Sequence, residues 1–225
     1  MKKGILSIAA IALFGGALLF SGCSKEDTTK PVITLNGAAS VDVVLGATYT
    51  DLGATANDDT DGDITASITS DASTTNPNVN LKGTYTINYS VSDAALNEGT
   101  ATRTINVKNA LENLAGNYTA TDDYNNDGTV DANWTETIST SSTINNQLVF
   151  SRFAYYTGCA LKVNVSGSTI SFTTGDQTFN CGSPAQNRTF SNITGTVIGT
   201  TITISYHEVD ADGFTTTGTD VFVKI

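Results

Sequence analysis

Beyond the N-terminal segment, apolar side chains recur at every second position, and no helical spacing is sustained. Tyr85, Ile87, Tyr89 and Val91 alternate with Thr86, Asn88 and Ser90, and Arg103, Ile105 and Val107 with Thr102, Thr104 and Asn106. The same period returns in Leu161/Val163/Val165, Ile170/Phe172 and Ile202/Ile204/Tyr206. Successive strand side chains point to opposite faces, so this period marks half-buried strands. Thr, Val and Ile suit the pleat, and the interspersed Gly, Asn and Asp suit turns. The chain is expected to be all-β, and about 200 residues suffice for two small domains with separate cores.

The balance of 11 Lys and Arg against 22 Asp and Glu gives a formal net charge of -11. Binding nucleic acid phosphates demands Lys and Arg, so no nucleic acid partner is expected. The first 22 residues run from Lys2 and Lys3 through the apolar Ile5–Phe20 stretch to Ser21 and Gly22, the order of a secretory signal. Removing residues 1–22 takes away two lysines and no acid, moving the charge to about -13.

Leu19-Phe20-Ser21-Gly22-Cys23 resembles a lipobox, with Phe20 where Leu is usual. That resemblance implies a signal peptide over 1–22 and palmitate-type acylation of Cys23; an uncleaved membrane anchor is the other reading. Each buried lipid methylene contributes about 0.8 kcal/mol, so a multiply acylated Cys23 holds the chain on the membrane. Ser24-Lys25-Glu26-Asp27 resembles the export signal of Bacteroidetes-type surface lipoproteins. It implies an outer-membrane protein exposed on the cell surface; a plain acidic tether over 23–30 is the alternative. With Cys23 assigned to lipid, Cys159 and Cys181 remain, and outside the cytoplasm they are expected to pair. A bridge closing about 22 residues would contribute about 3 kcal/mol.

Residues 31–108 hold Pro31-Val32-Ile33-Thr34-Leu35-Asn36-Gly37, then Val44-Leu45-Gly46 and Tyr49-Thr50-Asp51-Leu52-Gly53. Asp61-Gly62-Asp63-Ile64-Thr65, Gly83-Thr84-Tyr85 through Asp93, and Ala101 to Val107 follow. In that order the segment resembles the bacterial surface Ig-like domain family, which implies a β-sandwich acting as a spacer. Leu96 stands where the family's turn has Gly, and a left-handed Leu would be strained, so that turn is expected to differ locally. Asp58, Asp59, Asp61 and Asp63 offer either calcium ligands or a solvated Asp-Gly turn.

Residues 113–225 predict eight strands, at 117–122, 132–140, 146–154, 159–165, 169–173, 189–197, 200–208 and 215–224. Eight sequential antiparallel strands form an up-and-down barrel or a sandwich, and the barrel is favoured. The Gly116-Asn117-Tyr118 opening is loosely similar to the start of lipocalin-like barrels. Alternate connections lie at opposite ends, which puts loops 123–131, 155–158, 174–188 and 209–214 together, away from the linker. Cys159 and Cys181 fall at that same end.

Asp123, Asn125, Asp127, Thr129 and Asp131, with Gly128 at the sharp turn, match the first nine positions of an EF-hand type calcium loop. The twelfth position is Trp134 instead of an acid, which leaves an Asn-Asn-Asp-Gly hairpin turn as the competing reading. Trp134, Tyr155 and Tyr156, with Phe153 beside them, offer flat faces for sugar rings or packing for the barrel mouth. Asp210 and Asp212 add ligands or another turn. His207-Glu208 has no Ser or Cys nucleophile context. These features point to a non-catalytic, lipid-anchored surface protein whose distal β-domain binds an extracellular glycan or protein. A lipocalin-like carrier of a small apolar ligand and a small glycan-active enzyme using paired acids are the alternatives.

Overall fold

The computed structural model describes residues 26–172 and 175–225. Cys23 and the signal segment, with the lipidation expected there, lie outside the described residues.

Seven strands build the N-terminal sandwich: β1 (Val32–Leu35), β2 (Ser40–Val44), β3 (Ala54–Asp58), β4 (Gly62–Asp63), β5 (Thr69–Ser70), β6 (Gly83–Ser92) and β7 (Glu98–Lys108). They form two sheets, β1-β3-β4 and β2-β7-β6-β5. β2 lies parallel to β7, with Val43 opposite Val107, and β6 pairs with β7 antiparallel along its whole length. The period-two residues meet between the sheets: Val43, Leu45, Ile87, Tyr89, Ile105 and Val107 form one core.

Arg103 shares that inward parity and is 1% exposed. It is tolerated there because its donors are met. It pairs with Asp51 and donates to the carbonyls of Asn36 (2.7 Å), Gly53 (3.1 Å) and Ala38 (3.2 Å). Leu96 corrects an expectation. The turn keeps its left-handed residue, with Leu96 at φ 70° and 83% exposed. Asp93 holds the turn closed, accepting from the Asn97 N–H at 2.7 Å and from Asn97 Nδ2 at 2.8 Å.

Asn109 ties the junction together. Its Nδ2 donates to the carbonyls of Ser141 (3.0 Å) and Ile144 (2.9 Å), and its Oδ1 accepts from the Asn146 N–H at 3.1 Å. Lys82 from the sandwich pairs with Glu112 at 3.0 Å and donates to Thr140 Oγ1 at 2.7 Å.

The C-terminal strands are β8 (Gly116–Tyr124), β9 (Ala132–Thr140), β10 (Gln147–Phe150), β11 (Arg152–Phe153), β12 (Tyr156–Thr157), β13 (Lys162–Ser166), β14 (Thr169–Phe172), β15 (Gln177–Cys181), β16 (Gln186–Ile198), β17 (Thr201–Val209) and β18 (Thr215–Lys224). An antiparallel ring runs β8-β9-β10-β13-β14-β16-β17-β18 and closes where β18 pairs with β8, Phe222 opposite Ala120. Eight strands therefore form a closed up-and-down barrel, and the sandwich alternative falls away. Such a small barrel has room inside for little more than its own side chains. Phe150 and Phe222 (5.0 Å between ring centroids), Ile138, Leu148, Ile202 and Ile204 fill the lumen.

Two predicted segments differ. The strand expected over 146–154 stops at Phe150, and β11 and β12 form a separate hairpin that turns in over the barrel mouth. The stretch expected as a 174–188 loop is mostly β-structure: β15 pairs with the first half of β16, Gln177 opposite Phe190 and Cys181 opposite Gln186. The second half of β16 pairs with β14, so β14 and β15 follow one another along the same neighbour.

Candidate functional site

The rim opposite the linker is shaped by the β11–β12 hairpin. Ala154 (φ 48°) and Tyr155 (φ 65°) form its two-residue tip, the left-handed pair that matches strand twist in a tight hairpin. Neither is Gly, Asn or Asp, so the conformation is held from outside. Glu136, fully buried on β9, supplies much of the hold. Its Oε1 accepts from the Ser151 N–H (2.6 Å), Ser151 Oγ (3.0 Å) and the Arg152 N–H (3.1 Å), and its Oε2 from Trp134 Nε1 (3.2 Å). Asp220 accepts from the Ala154 N–H at 2.9 Å. Phe153 drops into the barrel, with ring centroids 5.2 Å from both Phe190 and Tyr206. The Cys159–Cys181 disulfide, Cα atoms 5.4 Å apart, joins the end of this excursion to β15, as expected.

Below the hairpin lies a layer of buried acids from inward positions of four strands, Asp122 on β8, Glu136 on β9, Glu208 on β17 and Asp220 on β18. Burial, then the adjacent Asp122 carboxylate, push the Asp220 carboxyl well above the ordinary range. Burial also raises Asp122, against the hydrogen bond it accepts from Tyr206 Oη at 2.8 Å. A proton shared between the two would give Asp220 Oδ1, which has no partner among the described residues, a hydrogen bond. Burial raises Glu208 as well, opposed by its ion pair with Arg188.

Above the acids, an open groove of about 290 Å³ is lined by Arg152, Tyr155, Tyr156, Ser183, Pro184 and Arg188, among others. Tyr155 is 50% exposed. The Arg152 guanidinium lies 5.6 Å from its ring centroid and donates to its carbonyl at 3.2 Å. Arg188 stacks over Tyr156 at 3.7 Å. Burial and the Glu208 charge push the Tyr156 hydroxyl up to about 12, so it remains a neutral donor. The groove thus offers a half-open aromatic face beside two guanidinium groups.

The other expected residues are placed as follows. Trp134, read as a sugar-ring face or as packing for the barrel mouth, takes the packing position: even-numbered residues of β9 face inward, and its ring is buried 6.0 Å from Phe222 and from Tyr155. In the Asp123–Asp131 loop the carboxylates serve the turn itself. Asp123 accepts from the Asp127 and Gly128 N–H groups, both at 3.0 Å, and Asp127 from the Thr129 N–H and hydroxyl. Asp131 accepts from the Tyr124 N–H at 2.8 Å, while Asn125 stands at φ 88°. Asp210 accepts from the Asp212 and Phe214 N–H groups, both at 2.9 Å, which makes a second self-closed turn. His207 and Glu208 point to opposite faces of β17; the His207 ring contacts Ser191 Oγ at 3.0 Å.

Arg152, Arg188, Asp122 and Asp220 are not singled out by the sequence reading. Inward parity, which places Asp122 with Ala120 and Asp220 with Phe222, was the available signal.

Fold and site together define a two-part, all-β chain: an Ig-like sandwich carrying a barrel with a filled lumen and a chemically mixed outer rim. Residues 33–107 match the family described as bacterial surface protein, Ig-like domain. No curated protein matches the chain. Among solved structures, the lipoprotein BT2262 from Bacteroides thetaiotaomicron is similar at 16% identity, over 85% of this chain and 98% of that one, with a TM-score of 0.34. A Clostridium perfringens ZmpB structure, of CBM51-2 in complex with GlcNAc and INT domains, is similar at 17% identity over 87% of this chain and 44% of that one, with a TM-score of 0.27. At such scores neither likeness transfers anything to this chain.

Proposed function

We propose that this is a non-catalytic, lipid-anchored lipoprotein of the outer membrane, exposed on the cell surface. Its Ig-like sandwich is a spacer, and its distal barrel rim binds an extracellular glycan. The observation that carries the reading is the groove with a half-exposed Tyr155 face beside Arg152 and Arg188. A sugar ring offers apolar C–H faces to the one and hydroxyl oxygens to the other. The match of residues 33–107 to a surface-protein domain supports the location. The filled lumen favours a rim ligand over a carried one, because Phe153 and its neighbours occupy the space such a cargo needs. The buried acids are engaged by the hairpin, by Arg188 and by each other, which supports the non-catalytic reading over glycoside hydrolysis.

Glycan-array screening of the full chain tests this, followed by calorimetry on Tyr155→Ala. Loss of about tenfold in affinity, equivalent to about 1.4 kcal/mol, with an unchanged melting temperature is expected. Absence of any array ligand would turn the reading towards a protein partner. Saturable binding of a fluorescent fatty acid would favour the carrier.

A further inference from the structure

The sandwich has a second cluster of acids, at its N-terminal edge. One carboxylate oxygen each from Asp27, Asp58 and Asp93 lies within 4.8 Å of the other two. The three come from distant parts of the chain: the tether, the end of β3, and the residue after β6. Asp58 and Asp93 are 3% and 5% exposed. Asp58 Oδ1 accepts from the N–H groups of Thr60 (2.9 Å) and Asp61 (3.1 Å). Its other oxygen, Oδ2, is shielded from solvent and has no donor among the described residues, although a buried carboxylate oxygen is costly to leave without a partner. Among the described residues no Lys or Arg pairs with the group: the ion pairs are Lys82–Glu112, Arg103–Asp51, Lys108–Asp42 and Arg188–Glu208.

We propose that Asp27, Asp58 and Asp93 bind a Ca²⁺ ion that clips the tether onto the sandwich. Carboxylate oxygens within 4.8 Å of one another fit around a cation whose oxygen ligands sit about 2.3–2.6 Å from its centre. Asp93 is held ready for it. The Asn97 N–H at 2.7 Å and Asn97 Nδ2 at 2.8 Å fix the orientation of its carboxylate. Carboxylates buried beside one another are destabilising without a positive partner, and Ca²⁺ supplies one with no lysine to desolvate. Asn97 Nδ2 also donates to the Asp27 carbonyl at 3.1 Å, which aligns the tether with the turn that carries Asp93. Of the acids noted at 58–63 in the sequence, Asp58 alone joins the site. Asp61 instead accepts from the Ala94 N–H at 2.7 Å, and Asp63 from the Thr65 N–H at 2.9 Å.

The test is calorimetric titration of the chelator-stripped full chain in detergent with CaCl₂, alongside thermal melts in CaCl₂ and in EDTA. A site with Kd on the order of 10⁻⁴–10⁻³ M or tighter is expected, as in extracellular calcium modules, with a higher melting temperature in Ca²⁺. Asp58→Asn should remove that site. Asp27→Ala, which lies outside the sandwich core, should weaken it about tenfold or more and decides the matter if Asp58→Asn misfolds. Asp127→Ala, on the distal loop, should leave it intact. No Ca²⁺ uptake at millimolar concentration, or wild-type affinity in Asp27→Ala, overturns the proposal.

Discussion

Replacing Glu136 with Gln should loosen the hairpin that shapes the distal groove while keeping side-chain volume. The fully buried carboxylate accepts three hydrogen bonds at Oε1, from the Ser151 N–H, Ser151 Oγ and the Arg152 N–H, and one at Oε2 from Trp134 Nε1. Bonds to a charged acceptor contribute about 1.5–3 kcal/mol each and neutral ones about 0.5–1.5, a difference of about 1 kcal/mol per bond. Three bonds to Oε1 thus lose about 3 kcal/mol. The amide nitrogen would face Trp134 Nε1 donor to donor, removing the fourth bond at a further cost of about 1–2 kcal/mol. Ser151 is exposed, and water there offsets part of the loss, leaving a net destabilisation of about 2–4 kcal/mol. Trp134 is the sole tryptophan, so urea unfolding followed by its fluorescence reads the change where it occurs. Amide exchange at Ser151 and Arg152 should accelerate with it. A loss below about 0.5 kcal/mol with unchanged exchange would refute the view that this acid fastens the hairpin.

The pH dependence of the barrel follows from the raised carboxyls. Folded values for Asp122, Asp220 and Glu208 lie above their unfolded ones, so their contribution is fully present below about pH 4 and is lost as pH rises through the folded values. Acidification from about pH 7 to about pH 5 should therefore raise the barrel's melting temperature. Asp220→Asn, which keeps the Asp122 contact without a titrating proton, should flatten that slope, and an unchanged slope would contradict the shared proton. Arg103→Met should cost about 3–5 kcal/mol in urea unfolding, because Asp51 and three backbone carbonyls lose their buried partner. Leu96→Gly should stabilise by about 0.5–1 kcal/mol in the same assay, since an exposed side chain in the left-handed region gives up strain and almost no packing.

The fold was legible where side chains alternate without interruption. β9 buries Trp134, Glu136, Ile138 and Thr140 in strict turn, and β17 buries Ile202, Ile204, Tyr206 and Glu208. Counting sequential strands then fixed which loops share an end, and Cys159 with Cys181 agreed with the count. The excursion over 151–161 was not legible. Ser151 follows Phe150 in an apolar run that reads as one strand. What ends that strand is Glu136, an acceptor presented from a neighbouring strand and absent from any local pattern. Over 174–188, the Gly, Ser and Pro content suggested a loop, although Gln177, Phe179 and Cys181 alternate with Thr178 and Asn180. In the sequence Asp27 belongs to the export-signal resemblance or to a plain acidic tether, because nothing near it reveals Asp58 and Asp93 as its neighbours.

The same physics links the groove to what lies beneath it. Ala154 and Tyr155 occupy left-handed backbone that their side chains disfavour, and such conformations persist only where the surroundings over-determine them. Those surroundings are Glu136 and Asp220, polar groups inside a barrel that would be more simply stabilised by hydrocarbon. A lumen filled only with aliphatic side chains could close the barrel, but it would present no acceptors to Ser151, Arg152 and Ala154. Tyr155 would then have no fixed place at the rim. The buried acids set the shape of the exposed aromatic face, and substitutions below the groove should alter ligand affinity without touching ligand.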